Sequence, residues 1–217
     1  MRMVNPAWEA IKEFQHATRI CDVQFDLNSG EIPDDHGFRL FEALAAHLPW
    51  LRDIADVGVH PVHGAPSGRN DNLVLNRRVK LVIRAPRERV AEMASLVGKT
   101  IDPGAGPLLI GAMKEKPLAP CATIYSHLVL LGESDEVAFL AEARRRLENM
   151  EIRCGLIPGK QRKIHSPTGP LVGYSLMLHD VTLAQSVALQ ESGLGGQRGY
   201  GCGIFIPHKS IKEVASD

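Results

Sequence analysis

The stretch that most constrains this chain is GLGGQRGYGCG, residues 193–203, which holds six glycines in eleven positions. Glycine loses more conformational freedom on folding than any other residue. A run this dense therefore has to serve a tight turn, a close approach of backbone, or a concavity of N–H groups that holds an anion. Two familiar phosphate loops can be tested against it. A P-loop ends in Lys-Ser or Lys-Thr, and neither follows these glycines. The dinucleotide fingerprint G-x-G-x-x-G starts at Gly193 and Gly195 but meets Arg198 at its last position; started at Gly199 and Gly201, it meets Ile204. Both loops also lead from strand into helix. Here TLAQSVALQESG before the run reads as a helix and GIFIP after it as a strand. A helix-to-strand glycine run argues against nucleotide binding of either type.

The rest of the chain sets the run in a repeated order. NPAWEAIKEFQHAT predicts a short N-terminal helix, with Asn5 able to cap it and Pro6 at its first position. RICDVQFDL alternates polar and apolar residues, as a strand with one wet face does. In IPDDHGFRLFEALAAHLPWL, Phe38, Phe41, Leu44, Ala45 and Leu48 share one helical face, Asp34 or Asp35 can cap, and Pro49 helps end the helix. VGVHPV reads as a strand, HGAPSGRNDN as a loop, and LVLNRRVKLVIRAP as one or two strands. PRERVAEMASLVG predicts a helix opened by Pro86, and KTIDPGAGPLLIGAM a strand pair around a turn. The second half repeats this: strand CATIYSHLVLLG, helix SDEVAFLAEARRRLENM capped by Ser134, strand IRCGLI, basic loop PGKQRKIHSPTGP, strand LVGYSLMLHD, a helix capped by Thr182, the glycine run and GIFIPHK. Each half reads β-α-β-β-α-β. The expected class is α+β, with two tandem ferredoxin-like domains at 20–116 and 117–217 after an N-terminal helical extension, 1–19.

Composition narrows the partners. At 217 residues, 44% hydrophobic and 23% charged, the chain is ordinary globular material. It has no apolar run of membrane-spanning length, and a soluble, cytoplasmic protein without membrane contact is expected. Cys21, Cys121, Cys154 and Cys202 are scattered without a C-x-x-C, so reduced, mostly buried thiols are expected and neither a metal nor another cofactor is called for. Net charge is zero but patterned. Residues 1–60 carry five Lys/Arg against ten Asp/Glu, and 61–100 eight against three; 101–151 carry five against eight, and 152–217 seven against four. A basic face built from the second part of each half would suit a phosphate backbone.

Four stretches carry a resemblance. IPDDHGFRLFEAL, GVHPVHG, YSLMLHDVTLAQSVALQESGLGG and GLGGQRGYGCGIFIPHK resemble the CRISPR-associated endoribonucleases of the RAMP superfamily that process precursor guide RNA (pre-crRNA), in particular their small MYXAN-type branch. The glycine loop with its Gly-Cys-Gly entry is the most specific of the four. The resemblance implies two ferredoxin-like domains, binding of CRISPR repeat RNA, and one cut without metal that leaves a 2′,3′-cyclic phosphate and a 5′-hydroxyl. It also implies company from other subunits of a CRISPR effector complex.

Such a reaction uses the RNA's own 2′-hydroxyl, so the protein has to move protons and stabilise a phosphorane. Histidine suits the first task; Arg, Lys and backbone N–H groups suit the second. Of the nine histidines, His36 ranks first as catalyst, at a helix start that welcomes phosphate. His60 in VGVHPVHG ranks second. His47 ranks third; it shares a helical face with His36 but lies about 16 Å away, and could meet His60 across the short connection. His63 is a weaker candidate, and His16, His127, His165, His179 and His208 are read as structural or surface residues. The glycine run would approach RNA through Gly195 and Gly196, with Arg198 on a phosphate or base. Arg77, Arg78 and Lys80 form a second basic cluster and Lys160, Arg162 and Lys163 a third, on hairpin-like loops suited to gripping an RNA stem. Arg144, Arg145 and Arg146 read as solvated surface. Two other readings remain open: a non-catalytic RNA-binding RAMP subunit, and a ferredoxin-like regulator of a small molecule or metal.

Overall fold

A computed structural model of the chain describes residues 18–68 and 70–208. The expected N-terminal helix lies outside them, save its last residue. Two antiparallel sheets organise the described chain. The first has the order β3-β6-β1-β8-β7, built from β1 (Ile20–Leu27), β3 (Gly58–Val59), β6 (Lys80–Pro86), β7 (Thr100–Ile101) and β8 (Leu108–Pro117). The second has the order β10-β11-β9-β12, built from β9 (Ile124–Val129), β10 (Gly155–Ile164), β11 (Leu171–His179) and β12 (Ile206–Pro207). Numbered within each half, with the β7–β8 hairpin counted as one strand, both read 4-1-3-2, the order that two split βαβ units give. Two tandem ferredoxin-like units were expected and are found. Helix α1 (Gly37–Ala45) and the short α2 (Val90–Met93) belong to the first half; α3 (Glu136–Asn149) and α4 (Leu183–Ser192) belong to the second. A small third sheet, β2-β5-β4, is inserted in the first half from β2 (Gly30–Pro33), β4 (Ala65–Pro66) and β5 (Asn72–Leu75).

Each half buries its own core. Val23, Phe25, Leu40, Leu44 and Ile83 are fully buried or nearly so in the first; Phe139, Leu176, Leu178, Leu189 and Phe205 are so in the second. Burying one such side chain is worth about 1.5–3 kcal/mol, which outweighs the 3-10 turns that break up PRERVAEMASLVG. Among the described residues no helix is long and apolar enough to cross a membrane. All four cysteines are free; Cys21 and Cys202 are buried, and burial pushes their thiols up to about 12.

Several local expectations are corrected. Helix α1 starts after His36, with no side-chain cap from Asp34 or Asp35. It turns Leu40 rather than Phe38 into the core, which frees Phe38 to pack on Tyr200, ring centroids 5.5 Å apart. Asp135, not Ser134, caps α3 by accepting from the Ala138 N–H. Thr182 caps α4 as expected, in a full capping box with Gln185. The basic loop after IRCGLI is strand: β10 runs on to Ile164, with a register shift between Pro158 and Gln161. A one-residue slip exchanges which side chains face which side, and beyond this one Arg162 faces the first half.

Candidate functional site

The glycine run joins α4 to β12 and is wedged between the halves. Gly203 N–H donates to Leu128 O at 2.7 Å, and the short turn Arg198–Tyr200 packs on α1 and β3. Glycine is required by contact at Gly199, where a Cβ would stand 2.7 Å from the Phe41 ring. It is required by conformation at Gly195, with φ +86° and the Leu130 carbonyl where a side chain would go. Arg198 is almost fully buried. It is 7% exposed and donates to Ser192 O at 3.0 Å, so it satisfies a carbonyl left open at the C-terminal end of α4. Burial, then the Arg84 charge, lowers the Arg198 pKa to about 10, and the group stays cationic at neutral pH. Arg198 thus spends its donors on the protein's own backbone while bordering the cavity beside Gly195 and Gly196.

Arg84 ties the halves together beneath it. Arg84 is fully buried on β6 and donates to both oxygens of Asp22 on β1, at 2.7 and 3.0 Å. Its remaining nitrogen donates to Gln190 O (3.0 Å) and Phe205 O (2.8 Å) of the other half. A buried guanidinium with every neighbour oriented is costly to disturb. Burial alone would raise the Asp22 carboxyl, but His60 and Arg84 hold it well below the usual carboxylate range.

Two of the three ranked histidines are built into this junction. His36 is 5% exposed; its Nδ1–H donates to Pro33 O at 2.8 Å, and its Nε2 accepts the Val62 N–H at 3.0 Å. A backbone N–H can only donate, so His36 carries its proton on Nδ1 and is neutral. Burial, the largest influence, lowers its pKa in agreement. His60, with its side chain 13% exposed, turns Nε2 towards Asp22 Oδ1 at 3.3 Å without the alignment of a hydrogen bond, and burial lowers its pKa too. His47 is exposed beyond the far end of α1 and is not brought to the other two.

The junction opens into a cleft with two connected cavities. The larger, about 380 Å³, is lined by His60, Arg78, Lys80 and Tyr125 among others. The smaller, about 190 Å³, is lined by Asp34, His36, Arg162, Lys163 and Tyr200 among others. His63 and His127, with Pro61, line both. His63 comes from the loop after β3 and His127 from β9; their ring centroids are 5.2 Å apart at an interplanar angle of 62°. Burial and then the Arg162 charge lower both pKa values, that of His127 to about 4. Lys80 is paired with Asp26 at 2.6 Å, whereas Arg77, Arg78, Lys160, Arg162 and Lys163 have no ion pair among the described residues. Arg77 and Lys160 are exposed outside the two cavities. Gly195 and Gly196 line a separate cavity of about 510 Å³ with Phe41, Arg52 and Tyr200. Arg145 and Arg146 pair with Glu142, a solvated face as expected. Among the described residues no three His, Cys, Asp or Glu side chains form a group that could hold a metal ion.

Residues 21–210 match the family described as Cas6 Crispr. The chain belongs to the Cas6 family. It is 34% identical over 196 residues to the CRISPR-associated endonuclease Cas6 of Myxococcus xanthus (strain DK1622), covering 90% of this chain and 84% of that one. A solved Cas6-related protein from Pyrococcus furiosus shares the fold at TM-score 0.62 and 15% identity, over 88% of this chain and 99% of its own. A RAMP protein described as binding different RNA substrates does so at TM-score 0.60 and 12% identity, over 87% of this chain and 100% of its own. The family resemblance read from the four motifs is borne out.

His127 is the residue that sequence reasoning passed over, and a signal for it existed. In IYSHLV the buried residues are Ile124, Ser126, Leu128 and Val129, which leaves Tyr125 and His127 on the other face. That face is the cleft.

Proposed function

We propose that this Cas6-family chain is an endoribonuclease that binds CRISPR repeat RNA and cuts the precursor into guide units. The cut leaves a 2′,3′-cyclic phosphate and a 5′-hydroxyl, and it runs without a metal. One observation carries the reading: an interdomain cleft in which imidazoles from both halves meet beside guanidinium and ammonium groups that have no ion pair among the described residues. Unpaired cations along a groove attract a phosphate backbone, and neutral imidazoles can accept the proton of a ribose 2′-hydroxyl. The named endonuclease from Myxococcus xanthus supports the activity. Arg78, Arg162 and Lys163 grip the strand at the cut, with Arg77 and Lys160 on the flanks.

His36 serves the site by holding the Val62 N–H, one residue before His63. His60 contributes through the Asp22–Arg84 junction. The chain's further partners are other subunits of a CRISPR effector complex.

The test is a single-turnover digestion of one repeat RNA in EDTA, followed by analysis of the product ends. One cut at one position, with a cyclic phosphate, supports the enzyme. Tight binding with no cut would make the chain an RNA-binding RAMP subunit instead.

A further inference from the structure

We propose that His63 and His127 are the proton-transfer pair of this cleft, with Arg162 against the phosphate that lies across both rings. The inference rests on the RNA-cutting reading above and names the residues that carry it out. The reason is a division among the imidazoles. Both nitrogens of His36 are engaged by backbone, and His60 is turned inward to Asp22. The rings of His63 and His127 form no hydrogen bond among the described residues, and each faces both cavities. They come from opposite halves and stand 5.2 Å apart, close enough for one phosphodiester to touch both at hydrogen-bond distance.

Arg162 completes the arrangement. Its Nε is buried and has no hydrogen-bond partner among the described residues, and the residue lines the smaller cavity. A buried donor without a partner is costly. A nonbridging phosphate oxygen would satisfy it and stabilise the charge that gathers there during reaction.

The step balances within the pair. His127 takes the 2′-hydroxyl proton as the 2′-oxygen bonds to phosphorus. The bond from phosphorus to the 5′-oxygen breaks, and His63 gives its proton to that oxygen. The cyclic phosphate and the 5′-hydroxyl form, and proton exchange with water resets the rings. Two imidazoles this close share one proton more readily than they hold two. The charged and titratable groups that face them are Asp34, Asp35 and His36 from the first half, Arg162 and Lys163 from β10 and Tyr200 from the glycine run, with His60, Arg78, Lys80 and Tyr125 along the larger cavity. Asp34 favours the protonated form, and Arg162 opposes it.

The experiment uses the full chain, a synthetic RNA of one CRISPR repeat from the same genome, and EDTA throughout. A second substrate carries sulfur in place of the 5′-bridging oxygen at the cut. A thiolate leaves without being protonated, so this substrate needs no general acid. His63→Ala and His127→Ala should each slow cutting of ordinary RNA by about 100-fold or more, while binding of a 2′-deoxy, uncuttable repeat stays within about threefold, which also reports a folded protein. The sulfur substrate should bring His63→Ala back to within about tenfold of the unchanged protein and leave His127→Ala slow. Cutting by both variants at near the unchanged rate would overturn the pair while the nuclease reading stands. Rescue of His127→Ala instead of His63→Ala would overturn the roles. An unchanged protein that binds the repeat and never cuts it would overturn the nuclease reading, and the pair with it.

Discussion

The junction between the halves and the rim of the cleft above it are both rich in charge and imidazole, and they treat those groups in opposite ways. In the junction, Arg84 meets Asp22, Gln190 O and Phe205 O; Arg198 meets Ser192 O; His36 meets Pro33 O and the Val62 N–H. On the rim, His63, His127, Arg78, Arg162 and Lys163 face open space with no ion pair among the described residues. Polar groups satisfied by the protein hold it in one shape. Polar groups left over are available to a ligand. The same residue types thus do two jobs, and the presence of partners tells them apart.

The largest expected effect breaks the junction. Arg84→Ala leaves the partly buried Asp22 without its guanidinium, with only His60 beside it, which costs about 3–5 kcal/mol and lowers Tm by roughly 6–20 °C for a chain of this size, as calorimetry would read. If Tm stays put, the junction is not what aligns the halves. Next comes Arg162→Ala on the rim. It should slow cutting by about 100-fold or more with Tm unchanged. A fall in Tm with cutting intact would reverse the assignment.

Acid sharpens the same contrast. In kcat/KM the free rings govern: the rate should rise as pH climbs through about 4, where His127 becomes neutral, and fall again as His63 loses its proton below its ordinary 6.5. An optimum above pH 7 would contradict a pair whose pKa values are both lowered. In the junction, Asp22 binds its proton less readily folded than unfolded. Its stabilisation is therefore complete above about pH 4 and is lost as pH falls further, which denaturant midpoints across that range would show. The smallest effect is in binding. Arg78→Ala or Lys163→Ala should reduce the salt slope of RNA affinity by about one each. Arg198→Ala should leave the slope unchanged while lowering Tm. A reduced slope from Arg198→Ala would return that residue to the RNA surface.

Much of the frame was readable from sequence because it is local. The strand and helix periods of each half, the Thr182 capping box and the oddity of the glycine run all lie within short windows. The family motifs rest on the same windows. The division between junction and rim is long-range. His36 ranked first as catalyst at a helix start, but the Val62 backbone arrives from the loop after β3 to engage it. Arg198 looked like a free cation until α4 turned its carbonyls to meet it. The β10 bulge was invisible in PGKQRK, and with it the direction of Arg162. His63 and His127 are 64 residues apart, and only the packing of one half on the other makes them neighbours.

The most direct test is a structure of the chain with a repeat RNA made uncuttable by a 2′-deoxy sugar at the cut. The account predicts the scissile phosphate in the interdomain cleft, touched by Arg162, with the neighbouring rings of His63 and His127 each reaching a different one of its reacting oxygens. A scissile phosphate at the exposed end of α1 near His47, or over the Gly195–Gly196 cavity with both rings empty, would contradict it.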